Sequence, residues 1–220
     1  MNVDAVIVAA GASTRFGSDK LFADLAGRPV LAWSIAAYEE VVGQGCLVIV
    51  AATAQVADVQ RLVAEWGGKA CARVVAGGER RRDSVEAGLR ECSTRYVAIH
   101  DGARPLVTSG LVRRVVAAAE RSNGAIAGVP VTDTVKEVRD GRLVGHPERS
   151  GLWAAQTPQV VLRQAWLDAA ATSDNDETDD AAMLSRLGLE CAVVEGDPEN
   201  IKITRPLDLE VARLILGRRG

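Results

Sequence analysis

Residues 3–15 have the sequence VDAVIVAAGASTR, in which a strand-length apolar run leads into a turn that contains glycine. A nearly continuous apolar run of this length is typical of a parallel strand that is buried on both faces. Gly11 follows directly, and a glycine in such a turn lets backbone N–H groups approach a phosphate closely. The turn contains neither GxGxxG nor GK[ST], which disfavours dinucleotide-binding and P-loop folds. The stretch therefore predicts the first strand of an α/β sheet, with a candidate phosphate-binding turn at its end.

Strand and helix patterns alternate along the rest of the chain. The further predicted strands cover 46–52, 70–75, 96–100, 125–131 and 190–195, and the predicted helices cover 29–42, 55–66, 84–92, 109–121, 162–171, 179–187 and 206–216. Such alternation predicts a parallel sheet with helices on both faces, which is a Rossmann-like α/β three-layer sandwich. Ligands of these sheets bind at the carboxyl ends of the strands.

The alternation is interrupted between residues 132 and 158. Residues 135–139 and 143–145 flank an Asp140-Gly141 turn, a pattern that predicts a short β-hairpin. The segment looks like an arm that projects from a mostly parallel sheet. With no linker or repeat elsewhere, we expect one domain over residues 1–220, with the β-arm at about 132–158.

The composition is that of an ordinary globular protein, with 48% hydrophobic and 25% charged residues in 220. A net charge of −3 does not suggest nucleic acid as a partner. The chain has no apolar stretch of membrane-spanning length and no secretory pattern, so we expect no membrane contact and a cytoplasmic location. Its four cysteines form no CxxC pair, which disfavours a zinc or redox site.

Charged residues near the strand ends are candidates for binding phosphate and metal. Arg15 and Lys20 place two cations in the first loop, which suits a triphosphate of about four negative charges. Asp101 follows the strand at 96–100, where one carboxylate plus substrate phosphates is enough for Mg²⁺. The alternatives are two solvated loop cations and an aspartate that caps the next turn.

Two other basic segments have competing interpretations. Lys202 alternates with isoleucines in NIKIT (200–204), which predicts a strand-borne lysine that points away from the apolar face; the alternative is a solvent-facing lysine on an edge strand. Three arginines at 80–82 could bind RNA, but in an acidic protein they more often form a solvated helix start. The two glycines before these arginines would let the backbone approach a flat nucleotide base closely. His100, inside a strand end, is interpreted as structural.

Taken together, the motifs resemble those of the 2-C-methyl-D-erythritol 4-phosphate cytidylyltransferase family, and the similarity extends from end to end. They are AAG-x-x-x-R (9–15), GGERRRDSVEAGL (77–89), HDGARP (100–105), TDTVK (132–136), RSGLWAAQTPQ (149–159), TDDA (178–181) and NIKITRPLDL (200–209). HDGARP and LWAAQTPQ are the most distinctive, whereas many nucleotidyltransferases that activate sugars share the AAG loop.

The resemblance implies magnesium-dependent transfer of a cytidylyl group from CTP to methylerythritol phosphate, in a homodimer that exchanges its β-arms. It also implies a role for individual residues. Cytosine and ribose would be held by Ala10, Gly11, Gly78 and Ser84; the phosphates by the catalytic residues Arg15, Lys20 and Lys202; the metal by Asp101; and the acceptor by Thr134, Arg149 and Thr157. Arg104, Thr178 and Lys136 are weaker candidates for the acceptor.

The chain departs from the family pattern before Lys20. The usual loop is longer and ends in Pro-Lys, whereas here it is short and reads FGSDK (16–20). Asp19 would repel the β- and γ-phosphates unless it turns away or helps to hold the metal. We therefore expect weaker CTP binding than in relatives with proline at this position.

Three other functions stay open at this point. A cytidylyltransferase for ribitol 5-phosphate would share the loop, the metal aspartate and the late lysine, but Trp153 and Arg149 favour methylerythritol. A non-catalytic nucleotide-binding or assembly protein would have no reason to combine Arg15, Lys20, Asp101 and Lys202. An NAD-dependent oxidoreductase is disfavoured because the dinucleotide-binding motif GxGxxG is absent from the first turn.

Overall fold

The computed structural model of the chain describes residues 2–11, 16, 19–43, 45–67, 71–172, 177 and 179–219, and of Cys71 only the backbone. In chain order the strands are β1 (Asp4–Ala9), β2 (Asp24–Leu25), β3 (Arg28–Pro29), β4 (Cys46–Ala51), β5 (Cys71–Ala76), β6 (Tyr96–Asp101), β7 (Gly124–Pro130), β8 (Glu137–Arg139), β9 (Arg142–Gly145), β10 (Trp153–Leu162) and β11 (Ala192–Glu195). The helices are α1 (Val30–Val42), α2 (Val56–Trp66), α3 (Arg81–Arg90), α4 (Ser109–Ala119), α5 (Arg163–Thr172), α6 (Asp180–Ser185) and α7 (Pro206–Arg219).

Seven strands form the central sheet in the order β11-β7-β10-β6-β1-β4-β5. All of them are parallel except β10, which pairs antiparallel with both β6 and β7. The predicted α/β fold with a mostly parallel sheet is therefore confirmed. Because β1 and β6 are parallel neighbours in the middle of the sheet, the residues that follow them emerge side by side at one edge.

The side chains of β1 alternate between two cores, as the pleat of a strand requires. Ile7 packs into a cluster with residues of α1, α2 and α4, whereas Val6 packs into a second cluster with residues of α3, α5 and α6. Both side chains are fully buried. This burial on both faces explains why the strand is a continuous apolar run.

Strand β10 is not among the strands predicted from the sequence. Its middle, Gln156 to Gln159, is polar and contains a proline, so neither an alternating nor an apolar pattern is visible. In the structure the pairing of β10 with β7 shifts register between Ala155 and Gln159, which accommodates this interruption.

The predicted hairpin is present as β8 and β9, which pair antiparallel. Asp140 and Gly141 both have positive φ, 48° and 74°, as a two-residue hairpin turn requires. Val138, Leu143 and Val144 on this hairpin are each more than half exposed. The domain assignment and the exchange of this arm between subunits stay predictions. None of the helices in the described ranges is both long and apolar enough to cross a membrane.

Candidate active site

A cleft of about 340 Å³ opens at the carboxyl ends of β1 and β6. Ala10 and Gly11 follow β1, and Asp101 ends β6 opposite Val8 in the register of the two strands. The described residues that line the cleft are Val8, Ala9, Ala10, Gly11, Lys20, Leu21, Gly78, Glu79, Arg80, Arg81, Ser84, Asp101, Ala103, Lys202 and Thr204. Seven residues predicted from the sequence thus lie around one cavity: Ala10, Gly11, Lys20, Gly78, Ser84, Asp101 and Lys202.

Asp101 is the centre of a charged cluster in this cleft. Lys202 Nζ lies 2.8 Å from its Oδ2, Arg81 Nε lies 3.3 Å from its Oδ1, and Arg104 Nε lies 3.9 Å from Oδ2. Burial alone would raise the pKa of Asp101, but the neighbouring Arg81 and Lys202 outweigh burial and hold that pKa well below its usual range. The carboxylate is therefore ionised near neutral pH.

Arg81 is a functional candidate that the sequence interpretation missed. Its Nη2 donates to Oδ2 of Asp180 at 2.7 Å, while its Nε contacts Asp101. Burial alone would lower the pKa of Arg81, but the two carboxylates raise it instead. Arg82 is buried and donates to the carbonyl of Ala170 at 2.8 Å. The three arginines do mark a helix start, because α3 begins at Arg81 with Arg80 as its N-cap. Their interpretation as solvated was wrong for Arg82, which is buried, and incomplete for Arg81, whose partners lie far away in the chain.

Lys202 reaches Asp101 from an extended segment that is not a regular strand, so the prediction of a strand-borne lysine was wrong. The predicted alternation is present nevertheless: Ile203 is fully buried and its N–H donates to the carbonyl of Ala103 at 2.8 Å, whereas Lys202 is 41% exposed. Arg104 fixes the start of the segment by donating to the carbonyl of Asn200 at 2.8 Å. These contacts hold the lysine at the cleft without a neighbouring strand.

Thr157 supports Asp101 from behind the cleft. Its Oγ1 accepts the backbone N–H of Asp101 at 3.1 Å and lies 2.9 Å from Nδ1 of His100. Nε2 of His100 faces the carbonyl of Arg104 at 3.2 Å and must carry the proton, so Nδ1 accepts from the Thr157 hydroxyl. Burial lowers the pKa of His100 to about 3, which keeps the ring neutral. The proposed structural role of His100 agrees with these contacts, whereas contact of Thr157 with substrate stays a prediction.

The turn before α3 is shaped by two residues of the GGERRRDS motif. Ser84 Oγ accepts the N–H of Gly78 at 3.2 Å and donates to the carbonyl of Arg80 at 3.3 Å. A Cβ at Gly78 would lie only 2.4 Å from Cβ of Asp83. Asp83 in turn accepts the N–H of Arg80 at 3.2 Å and caps the helix. Packing within the chain therefore requires glycine here; binding of a base by Gly78 and Ser84 stays a prediction.

Asp19 does not line this cleft, although it precedes Lys20. Its Oδ1 accepts the N–H of Leu21 at 3.2 Å, and its Oδ2 accepts from the side-chain amide of Gln55. The carboxylate thus lies in a second groove beside α2. This is the turned-away orientation that the sequence left open, and in this orientation we no longer expect the carboxylate to weaken CTP binding.

Six predicted ligands are not among the described residues that line the cleft. Two of them, Thr157 and Arg104, lie next to Asp101. Arg15 and Thr178 lie outside the described residues. Thr134 and Arg149 are exposed, next to the hairpin, and Arg149 donates to the carbonyl of Thr132. The described part of a single chain therefore assembles the predicted nucleotide side of the site but not the predicted acceptor side.

Comparisons with known proteins agree with these motifs. The family model for 2-C-methyl-D-erythritol 4-phosphate cytidylyltransferase matches residues 3–218. The chain is similar to proteins of that name from Caldanaerobacter subterraneus (40% identical, covering 99% of this chain and 100% of the relative) and Prochlorococcus marinus (42% identical, covering 98% of each).

Solved structures show the same fold. That of 4-diphosphocytidyl-2C-methyl-D-erythritol synthase from Anaerococcus prevotii has a TM-score of 0.85 at 25% identity and covers 98% of both chains. That of 2-C-methyl-D-erythritol 4-phosphate cytidylyltransferase from Thermus thermophilus has a TM-score of 0.78 at 31% identity, again with 98% of both chains covered. The similarity in sequence and in fold extends over nearly the whole chain. The chain belongs to the 2-C-methyl-D-erythritol 4-phosphate cytidylyltransferase family.

Proposed function

We propose that the protein transfers a cytidylyl group from CTP to 2-C-methyl-D-erythritol 4-phosphate, forming 4-diphosphocytidyl-2-C-methyl-D-erythritol and pyrophosphate. The observation that carries the proposal is the cleft in which Lys20, Asp101 and Lys202 converge at the carboxyl edge of the sheet. Members of this family bear the name of the same reaction.

The reaction requires no general base on the protein. A non-bridging oxygen of the acceptor's phosphomonoester, anionic near neutral pH, attacks the α-phosphorus of CTP. As this oxygen–phosphorus bond forms, the bond from the α-phosphorus to the oxygen that bridges to the β-phosphorus breaks, and pyrophosphate leaves. The barrier lies in bringing two anions together and in the charge of the five-coordinate phosphorus, so suitably placed cations account for most of the catalysis.

Basic residues of the cleft supply those cations. Lys202 is near enough to Asp101 to exchange that carboxylate for the α-phosphate when CTP binds. Lys20 also lines the cavity and is assigned to the phosphates together with Arg15. Both basic side chains belong to segments that leave the sheet edge, so they can adjust to the triphosphate while the strands stay fixed.

Asp101 fits a Mg²⁺ ion of the kind that nucleotide phosphates help to hold. Among the described residues, no group of three His, Cys, Asp or Glu side chains could hold a metal by itself. Mg²⁺ is commonly bound by one or two carboxylates plus phosphates and water, and one ionised carboxylate facing a triphosphate site meets that requirement. When bound, the ion would supply Lewis-acid stabilisation of charge on the α-phosphoryl group.

The acceptor side of the site is assigned to the arm of a second subunit. Thr134 and Arg149 do not line the cleft of their own chain, and the hairpin beside them exposes Val138, Leu143 and Val144. Apolar side chains exposed together in this way are typical of a surface that another chain covers. A homodimer in which each arm completes the partner's cleft would bury these side chains and deliver both polar residues. The cytoplasmic location also stays a prediction, which cell fractionation would check.

The test is pyrophosphate release by the purified protein with CTP and Mg²⁺. Parallel reactions contain methylerythritol 4-phosphate, ribitol 5-phosphate or no acceptor, and a further set replaces Mg²⁺ with a chelator. We expect release only with methylerythritol phosphate and only with the metal. Release only with ribitol phosphate would support cytidylyl transfer but show that methylerythritol phosphate is not the acceptor. No release with either acceptor would contradict the proposed enzyme function.

A further inference from the structure

The guanidinium of Arg81 is shared between two carboxylates. Its Nε contacts Oδ1 of Asp101 at 3.3 Å, while its Nη2 makes the shorter bond, 2.7 Å, to Asp180. An arginine next to a single carboxylate commonly binds it through two parallel N–H···O bonds. Here the stronger bond to Asp180 leaves Asp101 with only one long contact to the guanidinium.

Asp180 is held in place independently of Arg81. It is the first residue of α6, and only 1% of it is exposed. Its backbone N–H donates to Oε1 of Gln159 at 2.9 Å, and the N–H of Ala181 donates to the same oxygen at 3.1 Å. Because Gln159 lies on β10 in the central sheet, Asp180 is a rigid anchor for the arginine.

Because Arg81 divides its contacts between two carboxylates, the oxygens of Asp101 stay accessible to Lys202 and to a divalent cation. Oδ2 of Asp101 has Lys202 as its nearest cation at 2.8 Å, and the long contact of Arg81 is to the other oxygen. If Arg81 turned fully onto Asp101, its fork would occupy both carboxylate oxygens. Such a pair would compete with Lys202 and with any divalent cation for the same atoms.

We propose that Asp180 is a positioning residue that holds Arg81 away from a two-bond pair with Asp101 and so keeps Asp101 open to the divalent cation that accompanies CTP. The inference rests on the proposed function in that it assigns the metal to Asp101. Asp180 touches neither the metal nor the substrate in this role and acts through Arg81.

The test compares Asp180→Asn with the double variant Arg81→Met/Asp180→Asn. CTP binding is measured by calorimetry without acceptor, over a series of Mg²⁺ concentrations, so the readout does not depend on turnover. Asp180→Asn should raise the half-saturating Mg²⁺ concentration about tenfold, the size expected for competition by one charge-assisted hydrogen bond. Adding Arg81→Met removes the competitor and should reverse most of that increase. Because removing both partners of a buried ion pair can also restore stability, the melting temperatures of the single and double variants are compared with their Mg²⁺ dependence. A Mg²⁺ dependence that reverses without a parallel change in melting temperature supports the proposed role.

Two controls separate the proposed role from others. Asp179→Asn changes the neighbouring carboxylate, which caps α6 through the N–H of Ala182 at 2.9 Å and accepts from Nε2 of Gln159 at 3.2 Å. It disturbs the same anchor without removing the partner of Arg81 and should leave the Mg²⁺ dependence unchanged. In an Arg81→Lys background, Asp180→Asn should shift the half-saturation by less than about twofold, because a lysine cannot form the two-bond fork. Melting temperatures of all variants establish that they are folded, and the lysine background provides the comparison if the single variant does not fold.

The outcomes distinguish this inference from the proposed function. An unchanged Mg²⁺ dependence in Asp180→Asn, or an increase that Arg81→Met does not reverse, would overturn the role of Asp180 while leaving metal-dependent cytidylyl transfer intact. CTP binding by the wild-type protein that does not respond to Mg²⁺ would overturn the metal assignment and the inference with it.

Discussion

The cleft and the hairpin differ in whether their side chains have partners within the chain. At the cleft, the Asp101 carboxylate has three cationic neighbours, Lys202, Arg81 and Arg104. At the hairpin β8–β9, apolar side chains are more than half exposed. The charged side chains of the first region already have partners within the chain, whereas the apolar side chains of the second are left exposed by the described part of the chain. Under the proposed function, the nucleotide half of the site would work within one subunit and the acceptor half would require two.

The largest effect is expected from Lys202→Ala. Loss of a cation that contacts the transition state commonly lowers rates by about 10²–10³-fold. We expect such a fall in kcat, with a much smaller change in KM for either substrate, in pyrophosphate-release kinetics. A kcat near that of the wild type would remove Lys202 from the chemistry and weaken the description of the cleft as the catalytic half.

A smaller effect, restricted to the acceptor, is expected from Arg149→Ala on the arm side. Loss of one charge-assisted contact should lower kcat/KM for methylerythritol phosphate by about 10- to 100-fold and leave KM for CTP nearly unchanged. The same kinetics, run with CTP and then the acceptor as the varied substrate, separate the two effects.

Mixed dimers test whether Arg149 acts across the subunits. Subunits with Lys202→Ala and with Arg149→Ala, each impaired alone, should give a higher kcat/KM for the acceptor when mixed than either variant gives, since one of the two clefts in a mixed dimer then has both residues. A mixture whose kcat/KM is only the average of the two variants would mean that the arm serves its own chain.

The protonation of His100 provides a test of the buried contacts that it makes with Thr157 and Arg104 next to the cleft. Its pKa of about 3 in the folded protein lies below the ordinary value of 6.5, because burial disfavours the charged ring. Between these pH values the unfolded state binds the proton more readily, so the folded state loses stability as the pH falls through this window. One such group contributes a slope of up to about 1.4 kcal/mol per pH unit.

Urea unfolding between about pH 6.5 and about pH 4.5, above the range in which most carboxylates titrate, should reveal that slope in the wild type. His100→Asn, which keeps an acceptor for Thr157, should show a flatter dependence. Equal slopes in the two proteins would mean that His100 does not titrate as its burial implies.

The smallest effect is expected from Asp19→Asn. Because the carboxylate faces Gln55 and the N–H of Leu21 rather than the cleft, its charge should change KM for CTP by less than about twofold. A marked improvement in CTP affinity would show that Asp19 repels the triphosphate after all.

Much of the fold could be predicted because local sequence patterns indicate which side chains are buried. The apolar run of β1, the Asp140-Gly141 turn and the helical spacing of α1 each reflect a periodicity that neighbouring residues impose. Strand β10 escaped prediction because its polar centre and Pro158 interrupt that periodicity. Its pairing with β6 and β7 comes from residues far apart in the chain.

The residues of the candidate site likewise fall into those that a local pattern reveals and those that it does not. Asp101 and Lys202 could be proposed from sequence because each has a distinctive local setting, a strand end and an alternating segment. Arg81 could not, because its function depends on Asp101 and Asp180, which lie 20 and 99 positions away along the chain. The sequence alone sufficed for the family, the sheet and the residue types of the cleft, since those follow from local periodicity and motif. The pairing of charges within the cleft required the folded chain, since ion pairs depend on distances between side chains that only packing brings together.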